Sequence, residues 1–444
     1  MRQWMVAAKK ADFYAIAEKF HVDPVVARII RNREVIGEKN IRIYLGGNLS
    51  DLSDPHQMKD MDRLVEILAQ KIRKQAHIRI IGDYDVDGVT SSHLFLTALR
   101  RVGAKVDVVI PHRIQDGYGL SLHLLQQAKE DGVDTILTCD NGIAAIDEIA
   151  WAKAQKMTVL VTDHHAVPFE EHEGRRTEKK SLADAVVNPH QQDCGYPYKE
   201  LCGAGVAWNV IRVLYENYDM DKREAEDLLD FVAMATVCDV MSLTGENRIL
   251  VKEGLKRIRH TKNIGLQALM QACNVQPENI SAYHFGYVLG PCVNATGRLD
   301  TARHALRLFE TGQETEAEEI ARDLVDLNQE RKELTLQGVE MAKKLCEEGG
   351  YENDPVLVLF LPDVHESIAG LIAGRIREMY NRPVFVLTRG EEGVKGSGRS
   401  TENYSMYENM CGCAELFTKF GGHPMAAGLS LPVSYTHLTL PTNS

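Results

Sequence analysis

Three carboxylates stand at alternate positions in Gly82-Asp83-Tyr84-Asp85-Val86-Asp87-Gly88, directly after the apolar run Ile80-Ile81. Like charges that close repel one another unless cations sit among them. A solvated acidic turn is the bland alternative. An EF-hand loop is another, but it needs a Glu five or six residues past the glycine, where this chain reads Ser-Ser-His-Leu-Phe. Two further segments repeat the theme: Thr138-Cys139-Asp140-Asn141-Gly142 and Thr162-Asp163-His164-His165. A lone Asp after a strand is ordinarily a helix cap. Several carboxylates with an adjacent His pair, each following its own β-rich run, are hard to explain as caps. Mixed oxygen and imidazole donors suit Mn²⁺ or Mg²⁺ better than a thiolate-seeking ion. Asp239, in Ala235-Thr236-Val237-Cys238-Asp239-Val240-Met241, is by itself as readily a helix-end residue, and its weight comes from its company.

The elements that must position these groups are legible between residues 60 and 240. Short β-rich runs, His77-Ile81, Lys105-Ile110, Asp134-Thr138, Met157-Val161 and Ala185-Val187, alternate with helix-length stretches. That alternation predicts right-handed βαβ units and a mostly parallel sheet. Ligands of such sheets bind beyond the carboxyl ends of the strands, which is where the Asp and His residues fall.

Residues 313 to 349 are charged, free of Pro, and apolar at intervals of three and four, which predicts one long connecting helix. A second α/β pattern follows: the run PVLVLFLPD, the helical HESIAGLIAGRIREMY, the strand PVFVLT, the glycine-rich EEGVKGSGRS, a helix, and GGHPMAAGLSL. The expected fold class is thus α/β, with a mostly parallel sheet domain, a long connecting helix and a smaller α/β domain. The expected boundaries are a helical segment over 1–60, the sheet domain over 61–260, a helical connector over 261–350 and the second domain over 351–432.

Composition narrows the class. With 44% hydrophobic and 26% charged residues among 444, the chain is that of a globular protein of two or three domains. No stretch of about 18 apolar residues offers a membrane span, and the N-terminus lacks a signal-peptide core, so a cytoplasmic protein is expected. Nine cysteines are scattered and lack CxxC pairs, which favours reduced, packed thiols over zinc or disulfides. A net charge of −12 argues against nucleic-acid binding over the whole surface, but not against a local basic groove.

The series DYDVDG, CDNG, TDHH and ATVCDVMSL, in this order, resembles the DHH phosphoesterase superfamily. Together with LCGAGVAW, NATGRL, GSGRS and GGHPMAAG it is similar to the RecJ branch of single-stranded-DNA exonucleases, from about residue 40 to 432. The small DHH phosphatases and oligoribonucleases usually open their first motif with a metal-binding His, a place held here by Asp83. The resemblance implies that Asp83, Asp85, Asp87, Asp140, His164 and Asp239 share two ions, Mn²⁺ or Mg²⁺. Asp140 would be the bridge, Asp87 and Asp140 catalytic, and His165 a neighbouring or acid/base group.

The second domain then resembles the DHH-associated phosphate-binding module. Gly421, Gly422 and His423 would let a phosphate approach closely, although a bare GGH is often only a turn. Arg298, Ser397 and Arg399 resemble a pocket for a 5′ phosphate, for which the planar guanidinium fork is suited. In Pro111-His112-Arg113 and Asp116-Gly117-Tyr118-Gly119, Tyr118 could stack a base and Arg113 contact the backbone, with turn residues an equally good reading.

The implied activity is 5′→3′ hydrolysis of single-stranded DNA to nucleoside 5′-monophosphates by a monomer. Implied partners are single-stranded DNA, a single-strand-binding protein and a helicase, in DNA repair and recombination. The alternatives are a phosphodiesterase of short oligonucleotides or cyclic dinucleotides, or a catalytically silent replication scaffold. RecJ proteins usually continue into an OB-fold, which is not expected here, and residues 433–444 resemble no RecJ segment and are expected to be a non-native tail.

Overall fold

The computed structural model describes residues 9–113, 116, 119–172, 175–351, 354–390 and 393–432. Tyr118 and the expected tail over 433–444 lie outside the described residues. By packing, the chain divides into two units, Met1–Val325 and Asp326–Ser444.

The first unit opens with α1 (Phe13–Phe20), α2 (Pro24–Asn32) and α3 (Glu38–Gly46), around a small core of Ile30, Val35, Ile41 and Tyr44. Asp12 and Asp23 cap the first two helices by accepting from Ala15 and Val25 N–H. After α4 (Met61–Arg73) comes a five-stranded sheet: β1 (Ile78–Ile81), β2 (Val106–Val109), β3 (Thr135–Cys139), β4 (Thr158–Thr162) and, beyond a hairpin of β5 (Phe169–His172) and β6 (Arg175–Glu178), β7 (Ala185–Val187). Helices α5 (Val86–Arg101), α6 (Leu122–Glu130) and α7 (Ile146–Ala154) connect the first four strands. The order is β2-β1-β3-β4-β7 and every pairing is parallel, as the sequence alternation predicts.

Strands β1 and β3 are buried along their whole length, which explains their unbroken apolar character. The chain steps from β1 outward to β2 and then crosses back over β1 to make β3. A crevice therefore opens at the carboxyl ends of β1 and β3.

A helical region completes this unit: α8 (Gly203–Asn217), α9 (Lys222–Glu226), α10 (Leu229–Cys238), α11 (Gly245–Arg257), α12 (Ile264–Ala272), then the short α13 (Ala282–His284), which runs through a π turn (Phe285–Leu289) into α14 (Gly290–Leu299), and α15 (Ala302–Glu310). Helices α5, α8 and α10 are buried on nearly every side because they form the centre of the main core, with Phe95, Leu99, Val210, Leu214, Phe231 and Met234 in one cluster. Helix α16 (Glu314–Glu348) is the single long helix its spacing predicts, and the division between units falls within it. No described helix is long and apolar enough to cross a membrane.

The second unit holds β8 (Leu357–Phe360), α17 (Glu366–Tyr380), β9 (Val384–Gly390), β10 (Gly393–Arg399), α18 (Met406–Cys411), β11 (Lys419–His423) and β12 (Ala426–Leu431). The sheet order is β11-β12-β10-β9-β8, with β8 and β9 parallel and the rest antiparallel. The glycine-rich VKGSGRS, which carries no strand signal in its sequence, is the central strand β10. Its glycines make room for neighbours: a β-carbon on Gly396 would lie 2.5 Å from Leu387 Cδ2, and one on Gly398 2.6 Å from Met406 Sδ. Large side chains from flanking elements fill the space above the two glycines, so a segment of low strand propensity is held by packing.

Candidate metal centre

Asp83, Asp85, Asp87, Asp140, His164, His165 and Asp239 converge at the carboxyl edge of the parallel sheet in the first unit. Asp83 and Asp85 lie in the loop that leaves β1, and Asp85 caps α5 by accepting from Gly88 N–H at 3.1 Å. Asp87 sits in the first turn of α5, yet its two oxygens reach the start of α8, accepting from Gly203 N–H at 2.6 Å and Ala204 N–H at 2.7 Å. A carboxylate on the open N–H groups of a helix start is held by both hydrogen bonds and the helix dipole. Asp140 follows β3 at φ 63°, a conformation uncommon for a non-glycine residue. Beside it, Asn141 Nδ2 donates to Ile81 O at 3.0 Å and Cys139 O at 2.9 Å, tying the ends of β1 and β3. Asp239 terminates α10 as its C-cap.

His164 Nε2 is the hub. It lies 3.1 Å from Asp140 Oδ1, 3.6 Å from Asp87 Oδ2 and 3.6 Å from Asp239 Oδ2. Donor atoms fall into three groups, each spanning no more than 4.8 Å: Asp83, Asp85 and Asp140; Asp87, His164 and Asp239; and Asp140, His164 and His165. Asp140 and His164 each belong to two of them. Such overlapping sets of oxygen and imidazole donors suit a pair of hard divalent cations.

The electrostatics require a counter-charge. Burial, then repulsion from Asp85, raises Asp83 well above the usual carboxylate range; burial, then Asp87, Asp85 and Asp83, does the same to Asp140. Asp239 is pushed up to about 8 by burial and by Asp87 and Asp85. Asp83 Oδ1 is buried without a hydrogen-bond partner, and so is His164 Nε2, whose imidazole burial pushes toward the neutral form that ligates metals. Buried carboxylates crowded together and buried acceptors left unused are what a cation site looks like before its ion is considered.

Asp163 organises the His pair and was given no role in the sequence reading. Its Oδ1 accepts from His164 N–H at 2.7 Å, His165 N–H at 3.0 Å and His165 Nδ1 at 2.8 Å, and its Oδ2 from Ile143 N–H at 2.9 Å. Burial opposes its charge, but the hydrogen bond from His165 prevails and holds the carboxyl below the usual range. His165 responds in kind: burial would lower it, and Asp163 raises it to about 9. Its Nδ1 is 4.0 Å from Asp140 Oδ1.

Arg113 and Arg298 both act on Tyr84, which stands between Asp83 and Asp85. Arg113 Cζ lies 4.8 Å above the Tyr84 ring, and Gly297 packs against Tyr84 O. Burial and then Asp83 push the Tyr84 hydroxyl up to about 12, against which Arg113 and Arg298 both act. Asn294 Oδ1, on the same helix as Arg298, accepts from Val86 N–H at 3.1 Å and so secures the acidic loop.

In the second unit, Ser397 and Arg399 lie two residues apart on β10. Arg399 Nη1 donates to Ser397 Oγ at 3.3 Å and to Gly398 O at 2.8 Å. Both pack on α17, where a β-carbon on Gly370 would lie 2.7 Å from Ser397 Oγ and 2.9 Å from Arg399 Nη2. The GGH segment is a strand rather than a turn. Ser397 and Gly421 flank Gly428, and Arg399 and His423 flank Ala426, so register alone aligns both motifs on one face of the sheet. The two glycines differ: Gly421 is open on its side-chain face, whereas Gly422 is pressed against Ala426 and Ala427 of β12.

The comparisons agree with this arrangement. Residues 77–236 match the model of the DHH family, N-terminal domain, and residues 353–436 match the DHHA1 domain. The chain is 36% identical over 426 residues to the single-stranded-DNA-specific exonuclease RecJ of Haemophilus influenzae, covering 92% of this chain and 72% of that protein. It is 34% identical to the Bacillus subtilis exonuclease of the same name, over 94% of this chain and 51% of that one. Among solved structures, Thermus thermophilus RecJ in complex with Mn²⁺ superposes with a TM-score of 0.79 at 29% identity, over 95% of this chain and 58% of that chain. The Mg²⁺ complex of the same protein gives 0.73. The chain thus spans about half to three quarters of the length of these relatives. Its ordered strand-tip Asp and His residues, its second α/β unit and its identity to these relatives make it a member of the RecJ family of DHH phosphoesterases.

Proposed function

We propose that the chain hydrolyses single-stranded DNA from the 5′ end, releasing nucleoside 5′-monophosphates, with two Mn²⁺ or Mg²⁺ ions. The observation that carries this reading is the convergence of five carboxylates and two imidazoles, from four separate chain segments, on Asp140 and His164. Asp83, Asp85, Asp87, Asp140, His164 and Asp239 would hold the ions. When bound, the ions would make a water acidic enough to deprotonate near neutrality and would neutralise charge gathering on the phosphorus. The protein's own contribution is positioning: α8 fixes Asp87, Asn294 fixes the acidic loop, and Asp163 fixes both histidines. His165, whose pKa the hydrogen bond to Asp163 raises, would hand a proton to the departing 3′ oxygen or hold a phosphate oxygen.

Within the second unit, Ser397, Arg399, Gly421 and His423 lie on one sheet and would supply donors for a terminal 5′ phosphate; within the first unit, Arg298 near Tyr84 would be a separate cation for the strand's phosphates. A grip on that end makes the enzyme an exonuclease of stated polarity. In this reading the protein acts as a cytoplasmic monomer in repair and recombination, alongside a single-strand-binding protein and a helicase.

The test is degradation of end-labelled DNA with Mn²⁺ or EDTA, comparing 5′-labelled, 3′-labelled and duplex forms. Metal-dependent release from the 5′ end of single strands alone supports the reading. Cleavage confined to very short oligonucleotides or cyclic dinucleotides would replace it.

A further inference from the structure

Beside the metal centre lies an exposed aromatic surface that the hydrolytic machinery does not use. Tyr283 and Tyr287 are 62% and 72% exposed, and their rings stack on each other, centroids 5.2 Å apart and planes 26° from parallel. Large aromatic rings this exposed are rarely left without a use when they are also held in register. They are held: Phe285 and Leu289, on the inner side of the same π turn, are fully buried in the main core. The π turn widens the helix where it meets the end of α10. Cys238, the residue before the ligand Asp239, donates its Sγ–H to Phe285 O at 3.3 Å, and Gly290 leaves space for the same sulfur. A β-carbon on Gly286 would stand 3.4 Å from Val237 Cγ1.

A second observation comes from the other side of this contact. Val240, directly after Asp239, is 87% exposed and sits at φ 58°, a left-handed conformation that a β-branched side chain seldom adopts. The turn is closed by Val240 N–H to Val237 O and Met241 N–H to Thr236 O, both at 3.2 Å. An apolar side chain is thereby displayed to solvent in a strained backbone next to a metal ligand, the kind of place where strain is retained for function.

The segment bearing the tyrosines continues as α14 to Asn294, Gly297 and Arg298 at the loop of Asp83 and Asp85. From Tyr287 to Arg298 is about 16 Å along a helix axis at 1.5 Å per residue. One element therefore packs against the residue before Asp239 at its start and against Tyr84, between Asp83 and Asp85, at its end.

We infer that Tyr283, Tyr287 and Val240 form a stacking platform for unpaired nucleobases on the 3′ side of the scissile phosphate. The inference rests on the single-strand reading above and on Arg298 serving the 5′ side. Exposed rings accept any base face, so the platform is indifferent to sequence, and it demands unpaired bases because paired ones are already stacked.

The test measures binding of a fluorescent, 5′-phosphorylated oligo-dT to the full chain in EDTA, where no cleavage occurs, with an equal-length strand abasic on its 3′ side as the second probe. Wild type should prefer the base-bearing strand. The double variant Tyr283→Ala, Tyr287→Ala should bind oligo-dT about tenfold or more weakly while matching wild type on the abasic strand, and Tyr283→Phe, Tyr287→Phe should bind as wild type. Equal binding of oligo-dT by wild type and the alanine variant would overturn the platform. Cleavage by wild type in Mn²⁺ keeps the two ideas apart: a wild type that degrades single strands beside an alanine variant of undiminished affinity sinks the platform alone, whereas a wild type that neither binds nor cleaves them sinks both.

Discussion

Gly203 abuts Asp140 so closely that a β-carbon on the glycine would lie 2.7 Å from the Asp140 β-carbon and 2.8 Å from its Oδ1. The same Gly203 donates its N–H to Asp87 at 2.6 Å. One residue at the start of α8 thus sets the spacing of two carboxylates. Gly203→Ala is expected to displace Asp140 or the helix start, costing about 1–3 kcal/mol as overpacking does. Mn²⁺ affinity, measured by calorimetry, should fall at least about tenfold with the far-ultraviolet circular dichroism unchanged. An alanine variant that binds Mn²⁺ like wild type would refute this role.

Asp163 accepts four hydrogen bonds and is 1% exposed. Asn in its place offers one accepting oxygen and turns an NH₂ group toward N–H donors. Leaving buried donors unmet costs about 1–3 kcal/mol. Asp163→Asn should therefore lower the melting temperature in EDTA and weaken Mn²⁺ binding, because His164 loses the contact that aims it. Unchanged melting would show that Asp163 is not the organiser of the pair.

The convergence of the candidate residues could be read from sequence because a parallel sheet sends everything that follows its strands to one edge. Asp83, Asp140 and His164 needed only their place after an apolar run. Asp239 could not be placed that way, since it ends a helix, and only the folded core brings it to His164. Gly203 stood in a quoted motif with no role, because its function is a distance to Asp140 across 63 residues. Strand β10 was missed for a related reason: Gly396 and Gly398 carry no strand signal, and their partners Leu387 and Met406 become neighbours only on folding. Helix α16 depends on its own spacing alone and was legible throughout.

His93 and Asp230 give stability opposite pH trends away from the metal centre. His93 is buried against Phe231 and Phe309, centroids 4.4 and 5.8 Å away, and burial with nearby Arg100 lowers it from 6.5 to about 3. An imidazole held neutral in the fold contributes stability that is whole above pH 6.5 and is lost as pH falls below it, by up to about 2 kcal/mol between pH 6.5 and 5. Burial raises Asp230 to about 6, against its hydrogen bond from Thr261, so its contribution is lost as pH rises from 3.8 toward 6. His93→Phe should flatten the loss of melting temperature between pH 6.5 and 5, and Asp230→Asn should steepen it. Parallel curves for all three proteins would remove both assignments.

Arg399 and Asp140 should fail in different ways. Arg399→Ala is expected to reduce the preference for a 5′-phosphorylated over a 5′-hydroxyl strand, raising KM more than it lowers kcat, since it takes away one charged donor and leaves the ligands alone. Asp140→Ala should abolish turnover at any Mn²⁺ concentration. Comparable residual activity in the two variants would contradict the division of labour.

Asp140 also allows stability and activity to be set against each other. Without cations, burial and the repulsion of Asp87, Asp85 and Asp83 act on its carboxylate, and the raised Asp83 and Asp239 show that the neighbours feel the same crowding. Asp140→Asn removes one charge at nearly constant shape. In EDTA at pH 8 the variant should melt higher than wild type, by a few degrees if the relief is about 1–2 kcal/mol. Adding Mn²⁺ should reverse the order, because ligand binding raises only the protein that holds the ion, by about 2.7 kcal/mol at a hundredfold excess over Kd. Scanning fluorimetry of both proteins with and without Mn²⁺ reads the crossing directly. A variant that melts below wild type in EDTA would mean that the cluster is not under charge strain, and equal Mn²⁺ shifts in the two would mean that Asp140 does not hold the ion.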